Sequence, residues 1–128
     1  MAKESVISVL RLNERLVMDI VKALCAHYET RRYAVENKLV SKRVSMEYVY
    51  VNSKMFIAAG EIAGARYAEQ FIKEIGGEIG YSRSEIDAFS ESAYKTYKRE
   101  IKRNIAIKLC LLDESYYTLI SSANERGT

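Results

Sequence analysis

Met46-Glu47-Tyr48-Val49-Tyr50-Val51 decides the fold class of this chain. The six residues are rich in β-branched and aromatic side chains, a composition that locally favours a strand. A strand needs partners, and a lone hairpin is marginal in water. No second stretch of this kind occurs in the 128 residues, so the segment is read as the start of a helix that continues to about Ile75, with a strand as the alternative. On that reading the chain is all-α. It forms a bundle of two long helices followed by a C-terminal helix-turn-helix-like pair, in one helical domain spanning 1–128.

Upstream, Val6, Leu10, Asn13, Val17, Ile20, Leu24 and Tyr28 recur at spacings of three and four, which predicts a first helix from about Glu4 to about Tyr33. Asn13 interrupts the stripe, either as a register-setting polar residue or as a solvated one. Residues 34–45 read as a basic connector, because Asn37 and Ser41 weaken the helical pattern. Within 46–75, Gly60, Gly64 and Ala68 fall at i, i+4, i+8. Small residues at that spacing admit a close helix, either within the monomer or across a dimer. Gly76-Gly77 then stops the helix, since glycine takes the left-handed conformation common at helix ends.

Two N-cap signals follow. Ser82-Arg83-Ser84-Glu85 fits a capping box and predicts a short helix to about Phe89; Ser90 with Glu91 predicts a longer one from about Glu91 to Leu112. The apolar stripe of that helix is Tyr94, Tyr97, Ile101, Ile105, Leu109 and Leu112, and a last short helix is expected over 114–122. A short capped helix, a turn and a longer capped helix over about 82–112 is the outline of a helix-turn-helix. In the longer helix Lys95, Lys98, Arg99, Lys102 and Arg103 share one face, and Ser92, Lys95 and Thr96 occupy its first turns, where base edges or phosphates would be met.

The run from Phe89-Ser90-Glu91-Ser92-Ala93-Tyr94-Lys95-Thr96-Tyr97-Lys98 through Ile105-Ala106-Ile107-Lys108-Leu109 resembles the C-terminal segment of ArpU-type phage transcriptional regulators. That segment looks like the DNA-binding region four of sigma factors. The resemblance covers about a quarter of the chain. It implies that the helix beginning at Ser90 is a recognition helix, although the turn Asp87-Ala88-Phe89 lacks the glycine usual at that corner.

The charge distribution agrees with a polyanion-facing surface. The net charge is only +3, but 31–43 carries Arg31, Arg32, Lys38, Lys42 and Arg43 against Glu36, and 95–103 carries five cations against Glu100. Between them, 61–92 holds seven acids against Arg66, Lys73 and Arg83. Arg31, Arg32, Lys42 and Arg43 are therefore expected to add phosphate contacts to those of the C-terminal helix. Ten tyrosines, several beside Arg or Lys, read either as half-buried core or as interface anchors.

Catalysis has little support. Cys25 and His27, the single histidine, lie two apart on a helix and point in different directions. One histidine and two distant cysteines make a poor metal set, Gly76-Gly77-Glu78-Ile79-Gly80 lacks the lysine of a phosphate loop, and Glu61, Glu69 and Glu74 lack the spacing of a carboxylate centre. No enzyme, metal or cofactor is expected. The absence of proline suits long helices. No apolar run reaches the roughly 18 residues of a membrane span, and Arg11, Asn13, Glu14 and Arg15 break any signal-peptide core. Cysteines within apolar patterns suit a reducing cytoplasm. The expected function is a small DNA-binding regulator from a phage or mobile element, acting as a homodimer on double-stranded DNA. The alternative is a counter-defence type of helical inhibitor or adaptor that binds a protein or ribonucleoprotein.

Overall fold

The computed structural model describes residues 3–112, with side chains from Asn13 onward, so the helix expected over 114–122 lies outside the described residues. Five α-helices and one 3₁₀ turn follow in order: α1 (Lys3–Ala26), α2 (Tyr28–Glu36), α3 (Lys42–Ala63), α4 (Ala65–Gly76), the turn Tyr81–Arg83, and α5 (Glu91–Lys108). No strand occurs among the described residues, and 46–51 is helical, inside α3.

The two long expected helices are each broken. The first divides at His27, beside the point where α4 crosses it. A Cβ on Gly76 would lie 2.5 Å from the Ala26 amide nitrogen and 2.6 Å from the Cys25 carbonyl carbon, so only glycine allows this approach of helix backbones. Arg31, one turn into α2, is buried and clamps the break. Its Nη2 donates to Leu24 O at 2.5 Å and contacts Met55 Sδ at 3.3 Å, and its Nε donates to Asn52 Oδ1 at 2.7 Å. Asn52 in turn donates to Tyr28 O at 3.0 Å, tying α3 to α2.

The second helix divides at Gly64, whose φ of 88° turns the chain from α3 into α4 in a single residue. Gly60, Gly64 and Ala68 therefore do not share one helix face. Gly60 packs near the Ala65 backbone, about 3.8 Å from where a Cβ would sit, and Ala68 is fully buried. Ser41, whose Oγ accepts from the Val44 amide at 3.2 Å, starts α3. At the end of α4 the left-handed residue is Glu78, φ 53°, rather than a glycine. The Gly77, Glu78 and Ile79 amides close the last turn on the carbonyls of Lys73, Ile75 and Glu74.

The core is made by Val17, Val21 and Cys25 of α1, Met55, Ala58 and Ala59 of α3, Phe71, Ile72 and Ile75 of α4, and Tyr94, Ile101 and Ile105 of α5. An aromatic cluster seals one side. Phe71 stacks on Tyr94 with centroids 5.6 Å apart, and Phe89 meets Tyr97 edge-on at 5.0 Å. Among the described residues Tyr28 and Tyr94 are core, Tyr48, Tyr67 and Tyr97 are half-buried, and Tyr33, Tyr50 and Tyr81 are exposed.

The segment between α4 and α5 departs most from expectation. Ser82 to Phe89 forms no α-helix, and the first member of the helix-turn-helix outline is absent. Fully buried Glu74 diverts the capping residues. Ser84 Oγ donates to Glu74 Oε1 at 2.5 Å and the Glu85 amide donates to Oε2 at 3.0 Å. Tyr94 Oη donates to Oε1 at 2.7 Å and Gln70 Nε2 to Oε2 at 2.7 Å. Ser84 is thereby held extended, with ψ 143°. Ser90 caps α5 as expected, its Oγ accepting from the Ala93 amide at 3.2 Å, but α5 stops at Lys108 because Cys110 turns left-handed at φ 59°.

Two substitutions test this framework. Gly76→Ala forces α1 and α4 apart and is expected to cost about 2–3 kcal/mol in urea denaturation, at the upper end for overpacking. For Glu74, burial alone would raise its pKa, but hydrogen bonds from Gln70, Ser84, Tyr94 and the Glu85 amide outweigh it and hold the carboxyl below its ordinary value. A depressed folded-state pKa contributes stability above the ordinary carboxylate range, and that stability is lost as pH falls through the lowered value. Glu74→Gln is therefore expected to lose about 2 kcal/mol at pH 7, as when a buried charged acceptor is removed. Its stability should also decline less between pH 7 and pH 3 than that of the wild type, as read from urea midpoints.

Candidate functional site

On α5, residues turn about 100° each, so Lys95, Lys98, Arg99, Lys102 and Arg103 spread across roughly 140° of its circumference. The fold uses that spread to send them three ways. Lys95, Arg99 and Ser92 are exposed, with Lys95 paired to Glu91 at 3.1 Å and Thr96 half-buried beside them. Arg103 reaches sideways to Glu14 of α1 at 3.1 Å. Lys98 and Lys102 turn inward, towards α1 and the end of α4.

Lys98 donates to Ile79 O at 2.6 Å, with its Nζ 5.1 Å from the Tyr94 ring centre. Burial, then the charge of Lys102, holds its pKa below the usual lysine value. Lys102 is lowered likewise, by burial and then by Lys22. These two lysines and Lys22, with Ile75, Glu78 and Ile79, line a cavity of about 230 Å³. Sequence reasoning passed over Lys22, because it stands alone in α1 between Val21 and Ala23; only the crossing of α1 over the end of α4 brings it to Lys98 and Lys102.

The second basic segment does not form one surface. Arg31 is buried in the α1–α3 clamp described above, and burial lowers its pKa, so the expected phosphate contact by Arg31 is corrected. Arg32 is held by acids: Glu69 at 2.6 Å, Glu29 at 3.5 Å and Glu36 at 3.6 Å. Arg43 pairs with Glu47 at 3.6 Å on the surface, and Lys42 is exposed beside it at the start of α3.

Large apolar side chains are also exposed on α3. Met46, Val49, Tyr50 and Ile57 of α3 are 66, 50, 56 and 48% exposed and lie within about 100° of one another around the helix. Val49 and Ile57 border a cleft of about 580 Å³ between α2, α3 and α4, floored also by Tyr28, Val35, Tyr48 and Phe56. Tyr33 and Leu39 are exposed as well. The spacing of 46, 49, 50 and 57 was available in the sequence, but an apolar helical stripe reads as core unless its partner helix is known to be missing.

Among the described residues no group of three His, Cys, Asp or Glu side chains could hold a metal ion, and no helix is long and apolar enough to cross a membrane. Cys25 is buried, and desolvation pushes its thiol up to about 12, which removes it as a nucleophile. No family model, curated protein or solved structure matches the chain.

The two cysteines are expected to differ sharply towards a thiol reagent at pH 8. Cys110, exposed, should react within minutes, while Cys25 should react only as fast as the fold opens. Equal rates in native protein would show that the α1–α4 packing around Cys25 is wrong.

Proposed function

We propose that the protein acts by binding rather than by catalysis, as a small helical adaptor or inhibitor that docks on a partner protein through the α2–α3 cleft. The observation that carries this reading is the exposed stripe Met46, Val49, Tyr50 and Ile57, of which Val49 and Ile57 border that cleft. Apolar patches of this kind on small proteins commonly mark interaction sites. The occupant that fits is an amphipathic helix laid into the groove, its apolar face on Val49, Phe56 and Ile57. Charge favours acidic flanks on that helix. The acids of this face are engaged with Arg32 and Arg43, whereas Lys38, Lys42 and Lys54 make no ion pair among the described residues.

A second reading, the operator-binding phage regulator implied by the ArpU-type resemblance, is favoured by one observation. Ser92, Lys95 and Arg99 stand exposed on the first turns of the capped helix α5. Three of the five cations expected on its DNA face are drawn elsewhere, and the preceding helix is missing. Both features weaken this reading.

Selection from a displayed library of amphipathic helices, with acidic and basic flanks equally represented, separates the two. Acid-flanked helices should enrich, and Val49→Asp should weaken the selected binder at least tenfold, in line with loss of a central interface anchor of about 1.4 kcal/mol or more. Lys95→Ala/Arg99→Ala should leave that binding unchanged. The docking reading fails if no helix is enriched. It also fails if Val49→Asp converts a wild-type dimer to monomer in sedimentation, since a second copy would then cover the face. A salt-dependent duplex shift abolished by Lys95→Ala/Arg99→Ala would establish the operator reading instead.

A further inference from the structure

We infer that Lys22, Lys98 and Lys102 form a binding pocket for a small phosphate-bearing dianion. This site is separate from the α2–α3 cleft and does not rest on the docking reading. Three ammonium groups from α1 and α5 line one cavity at the end of α4, and the single acid in it, Glu78, is ion-paired to Lys22. The side chains lining the pocket thus have two more positive than negative charges. A phosphate monoester carries about −1.5 to −2 at neutral pH and matches that charge, whereas a backbone phosphodiester supplies only one negative charge.

Lys102 has the strongest need of a partner. It is half-buried and makes no ion pair or hydrogen bond among the described residues; Lys22, Lys98 and Arg103 add like charge, and Glu14 opposes them only at a distance. Burying a cation without a carboxylate in direct contact is costly, and an entering anion lowers that cost for both inward-facing lysines at once. Burial first, and like charge second, holds the pKa values of Lys98 and Lys102 below the usual lysine value. Lys98 is already positioned, since its bond to Ile79 O directs Nζ along the cavity wall. At about 230 Å³ the cavity is smaller than the pockets that enclose drug-sized ligands, so it suits a phosphate group with a short carrier rather than an extended cofactor. Glu78 is the built-in competitor. It is exposed, sits in a left-handed conformation and pairs with Lys22, so an incoming anion must displace it.

The test is thermal denaturation and calorimetric titration of the full chain with inorganic phosphate and, separately, glycerol 3-phosphate, each against chloride at equal ionic strength. A rise in Tm of about 3 °C is expected at ligand concentrations well above the dissociation constant. A response to the ester alone would assign the natural ligand to a phosphorylated small molecule; a response to both would assign it to the phosphate group itself. Lys102→Gln should keep the fold and lose the rise. Glu78→Gln, which frees Lys22, should bind about fivefold more tightly, a gain that a purely structural role for these residues would not produce. The proposal is overturned if neither ligand exceeds the chloride control, if Lys102→Gln responds like the wild type, or if Glu78→Gln binds no better. It is likewise overturned if Lys102→Gln loses binding to duplex DNA while keeping the phosphate response.

Discussion

A single carboxylate buried beneath α5 organises the C-terminal half of this protein. Glu74 accepts hydrogen bonds from Tyr94 on α5, from Ser84 and the Glu85 amide in the connecting segment, and from Gln70 on its own helix. An ionised group with 0% exposure persists only when such donors replace its water. Because the donors come from three parts of the chain, satisfying the charge fixes all three together. Tyr94 is placed against Phe71, and Lys98, one turn along α5, comes into reach of Ile79. The positions of the inward-facing lysines therefore follow from where the acid sits.

The sequence discloses helical character almost throughout, because the apolar period is clear and no proline interrupts it. The Ser90 cap and the buried Tyr94, Ile101 and Ile105 can be read from local pattern alone. Tertiary contacts decide the rest. Ser41 reads as part of a charged connector, yet it is the N-cap of α3. Ser82 to Glu85 has the spacing of a capping box, yet Ser84 and the Glu85 amide serve a carboxylate ten residues upstream, a partner that no local window contains. Gly76 looks like a helix terminator, and its larger role is to let two backbones touch. Each of these residues has a short-range reading and a stronger long-range use.

The candidate sites show the same division. A run of five cations suggests one electrostatic face, but α5 packs against α1, and the cations on that side meet Glu14, a carbonyl and one another. Arg31 and Arg32 are taken up in the same way by a clamp and by three glutamates. Charge counted along the chain overstates what reaches the surface. Conversely, the apolar residues of α3 that suggest core include a set with no partner helix in the described fold, and the larger cleft lies against them.

The clamp around Arg31 has a consequence for how the molecule meets acid. Among the described residues no carboxylate neutralises its guanidinium; it rests on a carbonyl, an amide oxygen and a thioether, none of which titrates in the physiological range. The Arg31 contacts should thus be indifferent to proton concentration, whereas the α4–α5 corner depends on a group that protonation disarms. Acidity below the ordinary carboxylate range, where Glu74 takes up a proton, would loosen the α4–α5 end of the bundle and leave the Arg31 clamp intact, giving the protein a built-in polarity of unfolding.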